Sequence, residues 1–141
     1  MHKALVNQHL QKLGARFGIE QLQLNEQGIA GIEVMDIPLI FHHDEELNLT
    51  TVNALLTPIP IPESESWAMR LLKAQELGID TGGCFFMLDD NRQLWLSYSI
   101  FLRFLSYEDF DAIVEQVFAY AVAWRQVVSD WIYGEAGTEL G

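Results

Sequence analysis

The sequence predicts an α+β protein: an amphipathic helix, a three-stranded antiparallel meander, a second helix, two further strands, and a long C-terminal helix packed on a twisted antiparallel sheet. Three observations carry this. Apolar residues recur at helical spacing near both ends of the chain. Between those ends lie short alternating runs separated by turn-forming clusters. Finally, half of the 141 residues are hydrophobic, too many for a disordered chain and enough to fill the core of one domain spanning residues 1–141, even at a net charge of -12.

The first helix follows from Leu5, His9/Leu10, Leu13 and Phe17, which fall on one face, with Gly18 as its stop. Leu22 and Leu24 alternate with Gln21, Gln23 and Asn25, and Glu26-Gln27-Gly28 supplies a turn before Ile29, Ile32 and Val34, which reads as a hairpin. Ile37, Leu39 and Phe41 alternate after Asp36, a polar turn is expected over His42 to Glu46, and Leu47 to Val52 forms another strand. A meander of three or four short strands results.

Pro58-Ile59-Pro60-Ile61-Pro62 is a stiff connector, because its prolines remove backbone donors and favour an extended chain. Ser64 or Ser66 then caps a helix through Trp67, Leu71 and Leu72 to Leu77, ended by Gly78. Cys84 to Leu88 and Leu94 to Ile100 form a second hairpin around Asp89-Asp90-Asn91-Arg92. Ser106 opens the last helix, about 39 Å long at about 1.5 Å per residue. Its apolar positions Phe110, Val114, Val117, Ala121, Trp124, Val128 and Trp131 form a heptad seam. Ile113, Tyr120 and Val127 widen the stripe beyond what one facing helix covers, so this helix packs on a sheet. The tail over 134–141 is expected to fray.

The charge balance excludes several functions. Eight Lys plus Arg against twenty Asp plus Glu repel phosphate backbones and anionic headgroups, so neither nucleic acid nor a membrane is an expected partner. No apolar run approaches a membrane span, and the N-terminus lacks the pattern of a signal peptide. Cys84 is the sole cysteine, which fits a reducing, cytoplasmic setting.

Catalysis finds no support. His42-His43-Asp44-Glu45-Glu46 clusters metal-ligand types, but neighbours on an extended segment point to opposite faces and do not converge on one ion, so no metal or cofactor is expected. Cys84 lies beside Phe85 and Phe86 and reads as a buried structural thiol. Gly82-Gly83 precedes a strand, which offers no oriented amides to a phosphate. Trp95 alternates with Ser97 and Ser99 on the face opposite Leu94 and Leu96, which leaves a large indole for a subunit interface.

Taken together, Phe17-Gly18-Ile19, the Leu22 to Gly28 segment, Leu71-Leu72-Lys73-Ala74-Gln75, the pair Phe86 to Asp89 with Leu94-Trp95-Leu96, and the helix from Phe110 to Trp131 resemble the class I type III secretion chaperones, the Tir-chaperone family. The resemblance covers nearly the whole chain. It implies a homodimer without enzymatic activity that binds the N-terminal region of a secreted effector and keeps it extended and secretion-competent. It places effector contacts on Leu22, Leu24, Ile29, Ile32, Val34, Leu39 and Phe41, and dimer contacts on Trp67, Leu71 and Trp95. Two other readings stand beside it. An acidic immunity or adaptor protein would hold a basic partner through its negative surface, with binding that falls steeply as salt rises. A small enzyme would need His42, His43 and Cys84 to meet.

Overall fold

The computed structural model describes residues 2–59, 65–101 and 105–134. Pro60 to Pro62 of the connector, the Ser64 cap and the tail beyond Gly134 lie outside the described residues.

Helix α1 (His2–Arg16) buries Val6, Leu10 and Leu13 completely, and Gly18 ends it with a left-handed φ of 73°. The segment after it is not a strand. Leu22 and Leu24 are buried in alternation, yet no strand pairs with them among the described residues; the Leu24 amide is taken by Asn7 Oδ1 at 2.8 Å and the Asn25 amide by the Ile29 carbonyl. Alternating burial arises here because an extended chain lies across the end of α1, where a Cβ on Gly14 would come within 2.9 Å of the Leu22 Cβ.

The meander therefore has three strands, β1 (Ile29–Val34), β2 (Ile37–Asp44) and β3 (Leu49–Pro58). Met35 and Asp36, both at positive φ, make the tight β1–β2 turn that the right-handed strand twist favours. The expected polar turn over His42 to Glu46 starts later than its composition suggests. His43 sits inside β2, buried, with its Nδ1 2.8 Å from Thr50 Oγ1 on β3, so a side-chain partner keeps a polar residue in the strand. β3 runs past Val52 to Pro58, with a bulge between Leu55 and Thr57, and Pro58 is tolerated because it is the last residue.

Helix α2 (Glu65–Ala74) is followed by a single 3-10 turn, Glu76–Gly78, then by β4 (Phe85–Leu88), β5 (Gln93–Ile100) and α3 (Tyr107–Ser129), which ends in a π turn over Asp130–Gly134. The β4–β5 turn is built by Asp89, whose Oδ1 accepts the amides of Asn91 and Gln93. Ser106 caps α3 by accepting the Asp109 amide.

Among the described residues the strands form one antiparallel sheet, ordered β1-β2-β3-β5-β4. Helix α3 packs across β3 and β5. Phe110 stacks on Phe41 at 6.0 Å, so the face carrying Leu39, Phe41, Val52, Ala54 and Leu96 is the helix-covered one. Helix α1 lies against the N-terminal half of α3, clamped by Arg16 to Asp111 at 2.8 Å and to Glu115 at 2.6 Å. The seam positions Phe110, Val114, Val117, Ala121 and Val128 are buried, whereas Trp124 and Trp131 are half-buried and meet each other edge to face.

Candidate binding surfaces

The sheet has two edge strands, and the molecule treats them differently. β4 is sealed. The Phe86 amide, which points away from β5, donates to Gln75 Oε1 at 2.9 Å, so the residue just after α2 occupies the middle of that edge. On β1 the edge bonds to a neighbouring segment among the described residues are both at its start, where the Ile29 carbonyl accepts from the Asn25 amide and the Ile29 amide donates to Asn25 Oδ1; no strand lies beyond it among the described residues.

Beside β1 opens an apolar pocket of about 210 Å³, lined by Arg16, Phe17, Val34, Met35, Leu39, Val114, Glu115 and Phe118. Each wall has a local cause. Phe17 is placed by the end of α1 and stacks under the Arg16 guanidinium at 4.6 Å. Val34 and Met35 come from the hairpin tip, and Val114 and Phe118 are successive turns of α3. Met35 is held at φ 48° and is 82% exposed, a left-handed backbone that an unbranched non-glycine residue adopts at a cost of about 1–2 kcal/mol. Met35 thus places a flexible, solvent-facing apolar side chain on the lip of the pocket.

A wider polar groove runs along the other side of α1, between Gln11, Ala15 and the Gly18 to Gln23 segment. At the far end of the β1–β2 hairpin, a cleft of about 310 Å³ is lined by Lys3, Glu26, Gln27, Gly28 and the His42 to Glu46 stretch. No group of three metal-ligand side chains converges there or elsewhere among the described residues.

The expected effector-contact residues divide by depth. Leu39 and Phe41 are wholly inside, Leu22, Leu24 and Ile32 are buried, Val34 is half-buried on the pocket wall, and Ile29 is exposed on the opposite sheet face. The residues expected at a dimer contact divide too. Trp67 and Leu71 point into the protomer, while Trp95 is half-buried on the face away from α3, in a row with Leu55 and Met87. The Trp95 indole donates to Asp89 Oδ2 at 2.9 Å, and this bond, with the Gln93 and Asn91 amides, holds the Asp89 carboxyl below the usual carboxylate range. The exposed side of α2 carries Met69, 65% exposed, and Leu72, 63% exposed, with Leu77, Phe85 and Leu88 exposed on the turn and strand that follow.

Met35, Phe118 and Met69 line these surfaces without being named by the sequence pattern, which marks Gln75 only as the end of a run and not as a partner of the sheet edge. Met35 and Gln75 had a signal: a large apolar residue in a two-residue turn, and a glutamine ending the Leu71-Leu72-Lys73-Ala74-Gln75 run. Cys84 is buried, and burial pushes its thiol up to about 11, so that it is protonated at neutral pH.

The fold is an α+β scaffold whose outer strand β1 is open beyond its first residue, with an apolar pocket beside it among the described residues. Residues 8–125 match the Tir chaperone protein (CesT) family, and the chain belongs to that family, the class I type III secretion chaperones, a family of chaperones and not of enzymes. No curated protein sequence matches. Among solved structures, a chain of the ExsC–ExsE complex is similar over 89% of this chain and 95% of its own, with a TM-score of 0.74 at 18% identity. A chain of the HopA1–SchA chaperone–effector complex is similar over 88% and 95%, with a TM-score of 0.68 at 15% identity. A chain of the heterodimeric ExoU–SpcU complex from the type III secretion system of Pseudomonas aeruginosa gives 0.65 at 11% identity, over 92% and 98%. These identities establish a shared fold. Among the described residues no helix is long and apolar enough to cross a membrane.

Proposed function

We propose that the protein is a single-domain cytoplasmic chaperone that acts as a homodimer, binds the N-terminal segment of a secreted effector, and keeps that segment extended and secretion-competent without catalysing any reaction. The observation that carries this is the asymmetry of the sheet: β4 carries the Gln75 side chain on its middle amide, whereas β1 beyond Ile29 is open beside the apolar pocket. An extended guest adds a strand to β1 through main-chain hydrogen bonds, while an apolar side chain enters the pocket between Phe17, Met35 and Phe118. Ordering a disordered guest costs about 2–5 kcal/mol, which a broad interface offsets. The chaperone–effector complex among the fold relatives supports the same reading.

In this arrangement Ile29 and Val34 touch the guest, Leu39 floors the pocket, and Leu22, Leu24, Ile32 and Phe41 hold the sheet against the helices from beneath. The second copy docks over α2, where Met69 and Leu72 meet it first, with Trp67 and Leu71 bracing that helix from inside and Trp95 at the margin. Strong negative charge keeps such apolar surfaces soluble while they are unoccupied.

Co-expression with secreted proteins encoded nearby tests this. Light scattering is expected to give a dimer, and limited proteolysis a protected N-terminal guest segment; a monomer that retains no such segment overturns the reading. Leu72→Asp is expected to weaken dimerisation by roughly tenfold to a hundredfold, since burying that side chain contributes about 1.5–3 kcal/mol; sedimentation velocity over a dilution series reads it. Met35→Asn separates stability from function. Asparagine tolerates the left-handed turn, so the urea midpoint is expected to rise by the equivalent of about 1 kcal/mol while guest capture falls.

A further inference from the structure

We infer that His9 is an acid-sensitive latch between α1 and α3, whose protonation frees α1 and, with it, the Arg16–Phe17 wall of the apolar pocket. The consequence for a guest rests on the function proposed above; the latch itself does not.

The geometry is that of an imidazole used as an apolar wedge. His9 is only 6% exposed, and its Nε2 is buried with no hydrogen-bond partner among the described residues. Its ring stacks on Phe110 at 5.2 Å and lies 6.1 Å from Tyr107, both in the first turn of α3. A neutral ring fits this place. A protonated one brings a second ring N–H and a charge that burial disfavours, which weakens the docking of α1 on α3.

The charged neighbours do not rescue the cation. On its own helix Lys12 repels it, while lying 5.6 Å from the Tyr107 ring centroid. On α3, Glu108 attracts it, and the Leu105 carbonyl before that helix also favours the charged form. Against these stands the N-terminal end of α3, where unpaired amides place partial positive charge. Burial outweighs the pull of Leu105 and Glu108 and draws His9 below the ordinary imidazole value of 6.5.

The linkage sign follows. With the folded-state value depressed, the unfolded or undocked state binds more protons, so the contribution is complete above 6.5 and is lost as pH falls through the window down to the folded midpoint. Helix α1 is the element that responds because it carries His9 into the seam; its apolar hold through Val6, Leu10 and Leu13 remains, while its exposed Arg16 pairing with Asp111 and Glu115 contributes little by itself.

The test uses the full chain. In a proton–carbon NMR titration the His9 ring is expected to titrate with a midpoint below 6.5. Over the same range amide exchange in α1, including Phe17 at the pocket wall, should accelerate relative to its intrinsic rate by up to about tenfold per pH unit, while β3 and β5 stay protected. His9→Phe preserves the stack and is expected to abolish the α1 response. Should that variant fail to fold, His9→Gln and the wild-type titration decide. A His9 midpoint at or above 6.5, or an α1 response that survives in a folded His9 variant, overturns the latch. Neither result depends on whether a guest is bound.

Discussion

Phe110→Ala is expected to destabilise the protein by about 3–5 kcal/mol, read as a lower urea midpoint at an unchanged slope. The side chain is wholly buried in the first turn of α3 and is shared by two layers, stacking on Phe41 of the sheet and on His9 of α1. Truncation leaves a cavity where three elements meet, and neither flanking ring can close it, because Phe41 is fixed by its strand and His9 by its helix. Folded domains are stable by only about 5–15 kcal/mol, so this one change removes a large share. Ala119→Ser, on the exposed side of the same helix, is expected to move the midpoint by less than about 0.5 kcal/mol. If both variants lose the same amount, the three-layer packing around Phe110 is not what holds the fold together.

That junction was legible in the sequence to an instructive degree. The heptad from Phe110 to Trp131 and its widening at Ile113, Tyr120 and Val127 announced a helix lying on a sheet, and α3 lies on β3 and β5. The β4–β5 hairpin was equally plain, because Asp89 carries its turn chemistry locally. Misreadings came where a tertiary partner decided the outcome. Leu22 to Asn25 alternates like a strand, but the acceptor that satisfies the Leu24 amide is Asn7 Oδ1, seventeen residues away. His43 looks like a loop residue until Thr50 is placed opposite it.

The binding surfaces were less legible for a related reason. Alternation tells which residues share a face and says nothing about what covers that face. Phe41 and Val34 belong to adjacent strands of one surface, yet Phe41 is wholly buried against Phe110 of α3 while Val34 is half-buried on the wall of an open pocket. On α2 both sides are apolar, so periodicity alone did not distinguish Trp67 and Leu71, which face inward, from Met69 and Leu72, which face out. The edge asymmetry that supports a strand-adding guest depends on one long-range bond from Phe86 to Gln75, which no local pattern encodes.

The entry to the open edge strand depends on Gly28, and Gly28→Ala is expected to cost about 2–3 kcal/mol and to loosen β1 together with its hold on a guest. Two effects add there. The residue has φ +77°, where a Cβ costs about 1–2 kcal/mol, and that Cβ would meet the His43 carbonyl oxygen at 2.4 Å. Backbone does not swing aside as a side chain does, so the turn has to move away from β2. The bond from the His43 amide to the Gly28 carbonyl, now 2.8 Å, then lengthens, at about 1 kcal/mol more. Gly18→Ala isolates the first effect. Its φ is +73° but nothing lies within 4 Å of the added methyl, so only the backbone cost of about 1–2 kcal/mol is expected. The difference between the two variants in urea unfolding therefore measures the collision with β2. Amide exchange along β1 should accelerate in Gly28→Ala and stay unchanged in Gly18→Ala. Equal losses in the two would mean that the 27–29 turn yields freely, and that the β1 edge is not held in place for a partner strand.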